Sequence, residues 1–254
     1  MLFDSHAHLD HPAFDDDLEI LTSQLPSSGV SHVLIPGTSV ESTVKAREIA
    51  NAHDGFYFSA GVHPGSIEGM SHGDLDRIIA LAEDPKCVAV GEIGLDFHYG
   101  PPEVRDAQRY WFYQQLHLAY ELNLPVIVHD REAHKECFDA VSRFGVRGVF
   151  HCYSSSAEMA AELVKIGFYC SFTGVVTYQG ARRALLAIEK LPLDRILIET
   201  DSPYLTPVPN TKERNDPRNV LAVAEVIARV KGIPLETVIS ATAENTARLF
   251  RIQL

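Results

Sequence analysis

Cysteine is scarce in this chain of 254 residues: there are four, none in a C-x-x-C pair, which argues against a zinc-thiolate site. Cys87, Cys152 and Cys170 fall in or beside apolar segments far apart in sequence and read as reduced core residues. No apolar run approaches the length of a membrane span, so no membrane association is expected. Basic residues are in deficit, with 22 Lys and Arg against 34 Asp and Glu and a net charge of -12. Such a field repels a polyanion at long range and disfavours nonspecific coating of duplex DNA. It leaves nucleic acid open as a substrate, because bound divalent cations and a few arginines reverse the sign locally. A cleaved secretory leader is not expected either, because the first metal-ligand candidates stand at His6 and His8, where cleavage would remove them. A cytoplasmic location is expected, and nothing in the sequence marks an obligate protein partner.

What is present is an ordinary globular composition, 46% hydrophobic and 22% charged, at a length that suits one large α/β barrel. No boundary, repeat or low-complexity tract divides residues 1–254, so a single domain is expected. Apolar segments at 31–37, 56–63, 87–96, 125–130, 147–154, 169–177 and 195–203 alternate with helical patterns, of which 12–25, 39–53, 102–123 and 132–145 are the clearest. Ser71 and Asp74 form a capping box, and Ser155 with Glu158 are expected to cap the helix that follows. The runs VAV, VIV, GVF and ILI lack polar alternation, as parallel strands covered on both faces do. Eight β-then-α units predict a (β/α)8 TIM barrel, with an open doubly wound sheet as the alternative. An extra C-terminal helix, about 234–250, is expected to pack outside it. Residues 202–219 carry Pro203, Pro207, Pro209 and Pro217 with Lys212, Arg214 and Arg218, too long a connection for a routine turn. It is expected to face substrate.

The polar residues fall at the strand ends. In MLFDSHAH, His6 and His8 are two residues apart on one face of an extended segment, as ligands of one ion require. His63, Glu92, His129, His151 and Asp201 each stand at or just after the C-terminal end of a predicted strand, and in a barrel those ends converge on one rim. A lone strand-end histidine is ordinarily a hydrogen-bonded structural group; so many together need a common cause. With His63 set aside, the remaining four imidazoles and two carboxylates suit zinc, manganese or magnesium. Two ions about 3.5 to 4 Å apart would use all six. Glu92, from a middle strand, is the expected bridge. His6, His8 and Asp201 would hold one ion and His129 with His151 the other, with Asp201 as general base. Glu199 shares the parity of Asp201 one layer deeper, where a structural role is expected.

The stretches DSHAHLD, GVHP, GEIGLDF, PVIVHDREA, FHCYS and ETDSPYLTP, with the later RNDPRNV, resemble in order the TatD family of metal-dependent deoxyribonucleases, within the amidohydrolase superfamily. That resemblance implies a distorted TIM barrel and divalent-metal-dependent hydrolysis of DNA, often from the 3′ end. The family's metal positions match His6, His8, Glu92, His129, His151 and Asp201. His63 and Arg131 match positions near the substrate phosphate, and the pattern extends to Arg214 and Asn215.

Two residues depart from the family pattern. Gly65 stands where members often have a second histidine, and Asp130 precedes Arg131 where many have a small hydroxyl residue. Other readings of the same metal pair are hydrolysis of an ester such as aminoacyl-tRNA, or of a cyclic amide. Cyclic-amide relatives often bridge their metals with a modified lysine where this chain has Glu92. A metal-binding scaffold without catalysis would be expected to lose Asp201 or Glu92, and both are present.

Overall fold

Each apolar run becomes a strand. The computed structural model describes residues 1–99 and 101–254. Its strands are β1 (Leu2–Asp4), β2 (Val30–Pro36), β3 (Phe56–Ala60), β4 (Cys87–Asp96), β5 (Val126–Arg131), β6 (Gly148–Phe150), β7 (Tyr169–Phe172) and β8 (Ile196–Ile198). They pair in sequence order, every neighbour parallel. Between and after them run α1 (Leu18–Gln24), α2 (Val40–Ala52), α3 (His72–Ala82), α4 (Arg105–Leu122), α5 (His134–Phe144), α6 (Ala157–Lys165), α7 (Arg182–Lys190), α8 (Val220–Lys231) and α9 (Leu235–Phe250). The result is a (β/α)8 barrel. β4 is buried along its whole length, as its unbroken apolar pattern requires.

The barrel closes by loop contacts rather than by a β8–β1 ladder. The Ser5 amide donates to the Ile198 carbonyl (3.1 Å), Asp201 to His6 (2.8 Å) and His8 to Ser202 (2.8 Å). Asp4, fully buried, accepts from the Thr200 amide (2.9 Å) and hydroxyl (2.5 Å) across the same seam. These bonds satisfy polar groups that an incomplete ladder would leave orphaned, and they draw the His6 and Asp201 segments together.

Three local expectations are corrected. The segment 12–25 is not one helix: Pro12–Phe14 forms a 3-10 turn and the α-helix begins at Leu18, because three successive aspartates, Asp15 to Asp17, favour turn over helix interior. The cap of α6 is Ser156, whose hydroxyl accepts from the Met159 amide (3.2 Å), rather than Ser155, which is buried. α9 does more than pack outside. Ala243, Leu249 and Phe250 with Ile252 join the inward-facing Phe3, Leu34, Val88, Ile127, Val149 and Leu197 in one apolar cluster. That cluster stoppers one end of the barrel, so the other end carries the open mouth. No helix among the described residues is long and apolar enough to cross a membrane.

Candidate metal centre at the strand ends

Six strands deliver the polar residues to the open mouth. His6 and His8 follow β1, His63 follows β3, Glu92 and His129 lie in β4 and β5, His151 follows β6 and Asp201 follows β8. The aim of Glu92 comes from a β-bulge: Val90 pairs with Val126 and Ile93 with Val128, so β4 spends one more residue than β5 between them. A bulge re-aims the side chain it carries. The Glu92 amide leaves the ladder to donate to the Gly37 carbonyl (2.7 Å). Gly94 just beyond has φ +148, and a Cβ there would collide with the His129 carbonyl, so only glycine lets β4 approach β5 this closely. Asp201 holds φ +57, a left-handed conformation that aspartate tolerates better than most residues.

The two oxygens of Glu92 face different histidines. Oε2 lies 3.3 Å from His6 Nε2 and 3.7 Å from His8 Nε2. Oε1 lies 2.9 Å from both His129 Nδ1 and His151 Nε2, and 3.5 Å from His63 Nε2. Asp201 Oδ1 closes the first group, 3.3 Å from His8 and 3.6 Å from His6. His6 and Glu92 are 0% and 2% exposed, so bulk solvent does not screen these contacts.

The electrostatics favour positive charge at the centre of this cluster. Burial alone would raise the Glu92 carboxyl, but His151, His63 and His129 hold it well below the usual range. Burial pulls His8 down, yet Asp201, Glu92 and Asp10 push it up to about 9. Burial likewise opposes charge on His151, and Glu92 with Glu199 overcomes it. His129 is raised against burial by Asp96 and Glu92. The carboxylates therefore demand positive charge at the ring nitrogens. Divalent cations meet the same demand and displace those protons. The donor set fits: imidazole nitrogens and carboxylate oxygens gather in the groups His6, His8, Glu92 and His63, Glu92, His129, each within 4.8 Å.

Residues behind the ligands hold them in place. Asp96 Oδ2 lies 3.1 Å from His129 Nε2, while its Oδ1 accepts from the His98 and Tyr99 amides (both 3.0 Å). Burial raises the Asp96 carboxyl, but the His129 contact and those amides bring it down to about 2. Sequence reasoning passed over Asp96, although its even spacing from Glu92 along one strand was the available signal. Asp4 was also missed; burial outweighs its hydrogen bonds and pushes it up to about 8. Glu199 accepts from the Cys152 amide and the Ser171 hydroxyl (both 2.6 Å) and stands 3.6 Å from His151 Nδ1. It positions the His151 segment.

His8, Glu92, His129, His151 and Asp201 floor an open cavity of about 1150 Å³ that His63, Asp130 and Arg131 also line. His63 Nδ1 accepts from the Gly65 amide (2.9 Å), which leaves Nε2 as the ring's proton-bearing atom, facing Glu92. Burial keeps this ring neutral by lowering it to about 4. Gly65 leaves room for that ring, since a Cβ would sit 3.0 Å from His63 Nδ1. Arg131 stacks on Tyr99, 4.6 Å from the ring centroid. Asp130 does not turn a bare charge toward the cavity: its Oδ2 pairs with His134 Nδ1 at 2.7 Å. Arg214 is not brought to the cavity. Its guanidinium grips Asp17 through two bonds of 2.7 Å and lies over Phe14, because the acidic turn before α1 offers the nearer partner. Asn215 is buried and ties the long loop to the Thr200 and Tyr204 carbonyls.

Comparison with known proteins agrees with this geometry. Residues 3–251 match the family model described as TatD related DNase. The uncharacterized metal-dependent hydrolase YabD of Bacillus subtilis is 40% identical over 255 residues, covering 99% of this chain and 100% of its own. A 3′-5′ ssDNA/RNA exonuclease, TatD of Cronobacter sakazakii, is 34% identical, covering 98% of this chain and 97% of its own. The crystal structure of YjjV, a TatD homologue from Escherichia coli, superposes with a TM-score of 0.94 at 30% identity, covering 99% of this chain and 98% of that one. The chain belongs to the TatD family of metal-dependent hydrolases.

Proposed function

We propose that this enzyme hydrolyses phosphodiester bonds in DNA, releasing nucleotides from the 3′ end, with two divalent ions (magnesium, manganese or zinc) as cofactors. His6, His8 and Asp201 would hold one ion, His129 and His151 the other, with Glu92 between them. The observation that carries this reading is the division of Glu92, one oxygen toward each histidine pair. Divalent cations in such a site neutralise charge on the phosphoryl oxygens and lower the pKa of water.

The chain's own groups supply the rest. Asp201 turns Oδ1 to His6 and His8, leaving Oδ2 to take the proton of the attacking water. His63 donates from Nε2 to a phosphoryl oxygen, and Arg131 at the rim meets the same charge from outside. Glu92, set by the bulge, turns one oxygen to each histidine group and orients them.

Turnover of metal-loaded enzyme on single-stranded DNA, duplex DNA, RNA, aminoacyl-tRNA and a cyclic amide tests the proposal. Nucleotide release from single-stranded DNA is expected, with Asp201→Asn lowering it by at least about a hundredfold while most metal binding remains. Activity confined to the amide, or near-normal turnover in Asp201→Asn, would overturn it.

A further inference from the structure

The cavity wall is electrically one-sided. Among the described residues that line it, every arginine or lysine comes from two of its loops: Arg131 at the end of β5, and Arg182 with Arg183 at the start of α7. The portions contributed after β1, β2, β3 and β8 carry none, and Asp10 stands there instead. All three arginines are exposed, and none is in an ion pair among the described residues. Arg183 also lies close enough to His134 of α5 to disfavour that ring's charge, which places the two basic loops in one field.

The opposite rim offers an aromatic surface. Tyr204, 51% exposed, lines the cavity beside His8 and His11, with ring centroids 6.3 and 5.6 Å away. An exposed ring at a cavity mouth is a stacking platform for a base. The scissile phosphate must reach residues at the floor of the cavity, which a rigid duplex cannot do without unpairing.

Resting on the phosphodiesterase reading, we propose that Arg182 and Arg183, with Arg131, form a one-sided track that binds the phosphates on the retained side of the scissile bond of a single strand. The terminal nucleoside then lies on the side without arginine, against Tyr204. Such a track selects strand ends, because a continuing backbone on the Tyr204 side would meet Asp10 instead of arginine.

The test is binding of fluorescent, hydrolysis-resistant phosphorothioate oligothymidylates of graded length to the full metal-loaded chain across a salt series. Each phosphate contact on a single strand contributes about 0.7 to the slope of log affinity against log salt. The double variant Arg182→Ala/Arg183→Ala should lower that slope by about 1.4, so that the wild type's advantage shrinks roughly sevenfold between about 50 and 200 mM salt. It should also lose the gain in affinity with length. Arg182→Lys/Arg183→Lys should keep the slope. Arg143→Ala/Arg229→Ala, the same charge change on exposed helix positions away from the cavity, should keep both slope and length dependence. An unchanged slope in the first variant, or an equal fall in the remote pair, overturns the track while leaving hydrolysis untouched. Failure of the wild type to bind or cleave any oligonucleotide overturns the phosphodiesterase reading itself.

Discussion

Asp96→Asn separates a residue that orients a ligand from the ligands themselves. In the native protein one carboxylate oxygen accepts two loop amides and the other takes His129 Nε2–H, which leaves the Nδ1 lone pair directed at the Glu92 side. Asparagine has a single acceptor oxygen. If that oxygen keeps the two amides, the NH2 group meets Nε2 and selects the opposite tautomer, with the proton on Nδ1 where a cation must bind. Loss of a carboxylate that orients a metal-bound histidine costs 10- to 100-fold in metal affinity, or about 1.4 to 2.8 kcal/mol. The assay is competition with a chelating dye, run beside thermal unfolding of the metal-free protein, which should move little because the loop bonds survive. An affinity for the ion near His129 within about twofold of wild type would refute the reasoning.

Gly94→Ala should destabilise the fold by more than about 2 kcal/mol, since it adds a Cβ against the β5 backbone at a left-handed position, and denaturant unfolding reads the loss. A midpoint equal to wild type would show that the two strands can part without cost. Arg214→Ala should cost at most about 1 kcal/mol of stability through its half-exposed pair with Asp17. It should leave the Michaelis constant for DNA unchanged, and a large rise would return Arg214 to substrate. Arg131→Ala should raise that constant with a smaller effect on turnover, because it removes a charge at the rim and no ligand; kinetics identical to wild type would leave Arg131 as a partner of Tyr99 alone.

The barrel was legible because a parallel strand under helices must be apolar on both faces, and β4 to β8 spell this in runs such as VIV and ILI. The ligand set was legible for a related reason: a polar residue closing such a run has only the barrel mouth to occupy. Features set by tertiary partners were not. Nothing local in GEIGLDF declares that Glu92 sits in a bulge, and the even spacing of Asp96 from Glu92 does not name His129 as its partner, since both depend on the β5 register. Arg214 looked like a substrate contact in a proline-rich loop, yet an acidic turn almost two hundred residues earlier captures it. The role of α9 as a stopper depended on the open barrel end it covers. Its amphipathic pattern alone only required some apolar surface to pack on.

The central claim is that hydrolysis depends on cations held around Glu92. Protein stripped with EDTA, dialysed, and assayed on 3′-labelled single-stranded DNA before and after adding magnesium, manganese or zinc tests it most directly. The stripped protein should release no nucleotide, and at least one of the three metals should restore release from the 3′ end. Equal release with and without metal would contradict the account.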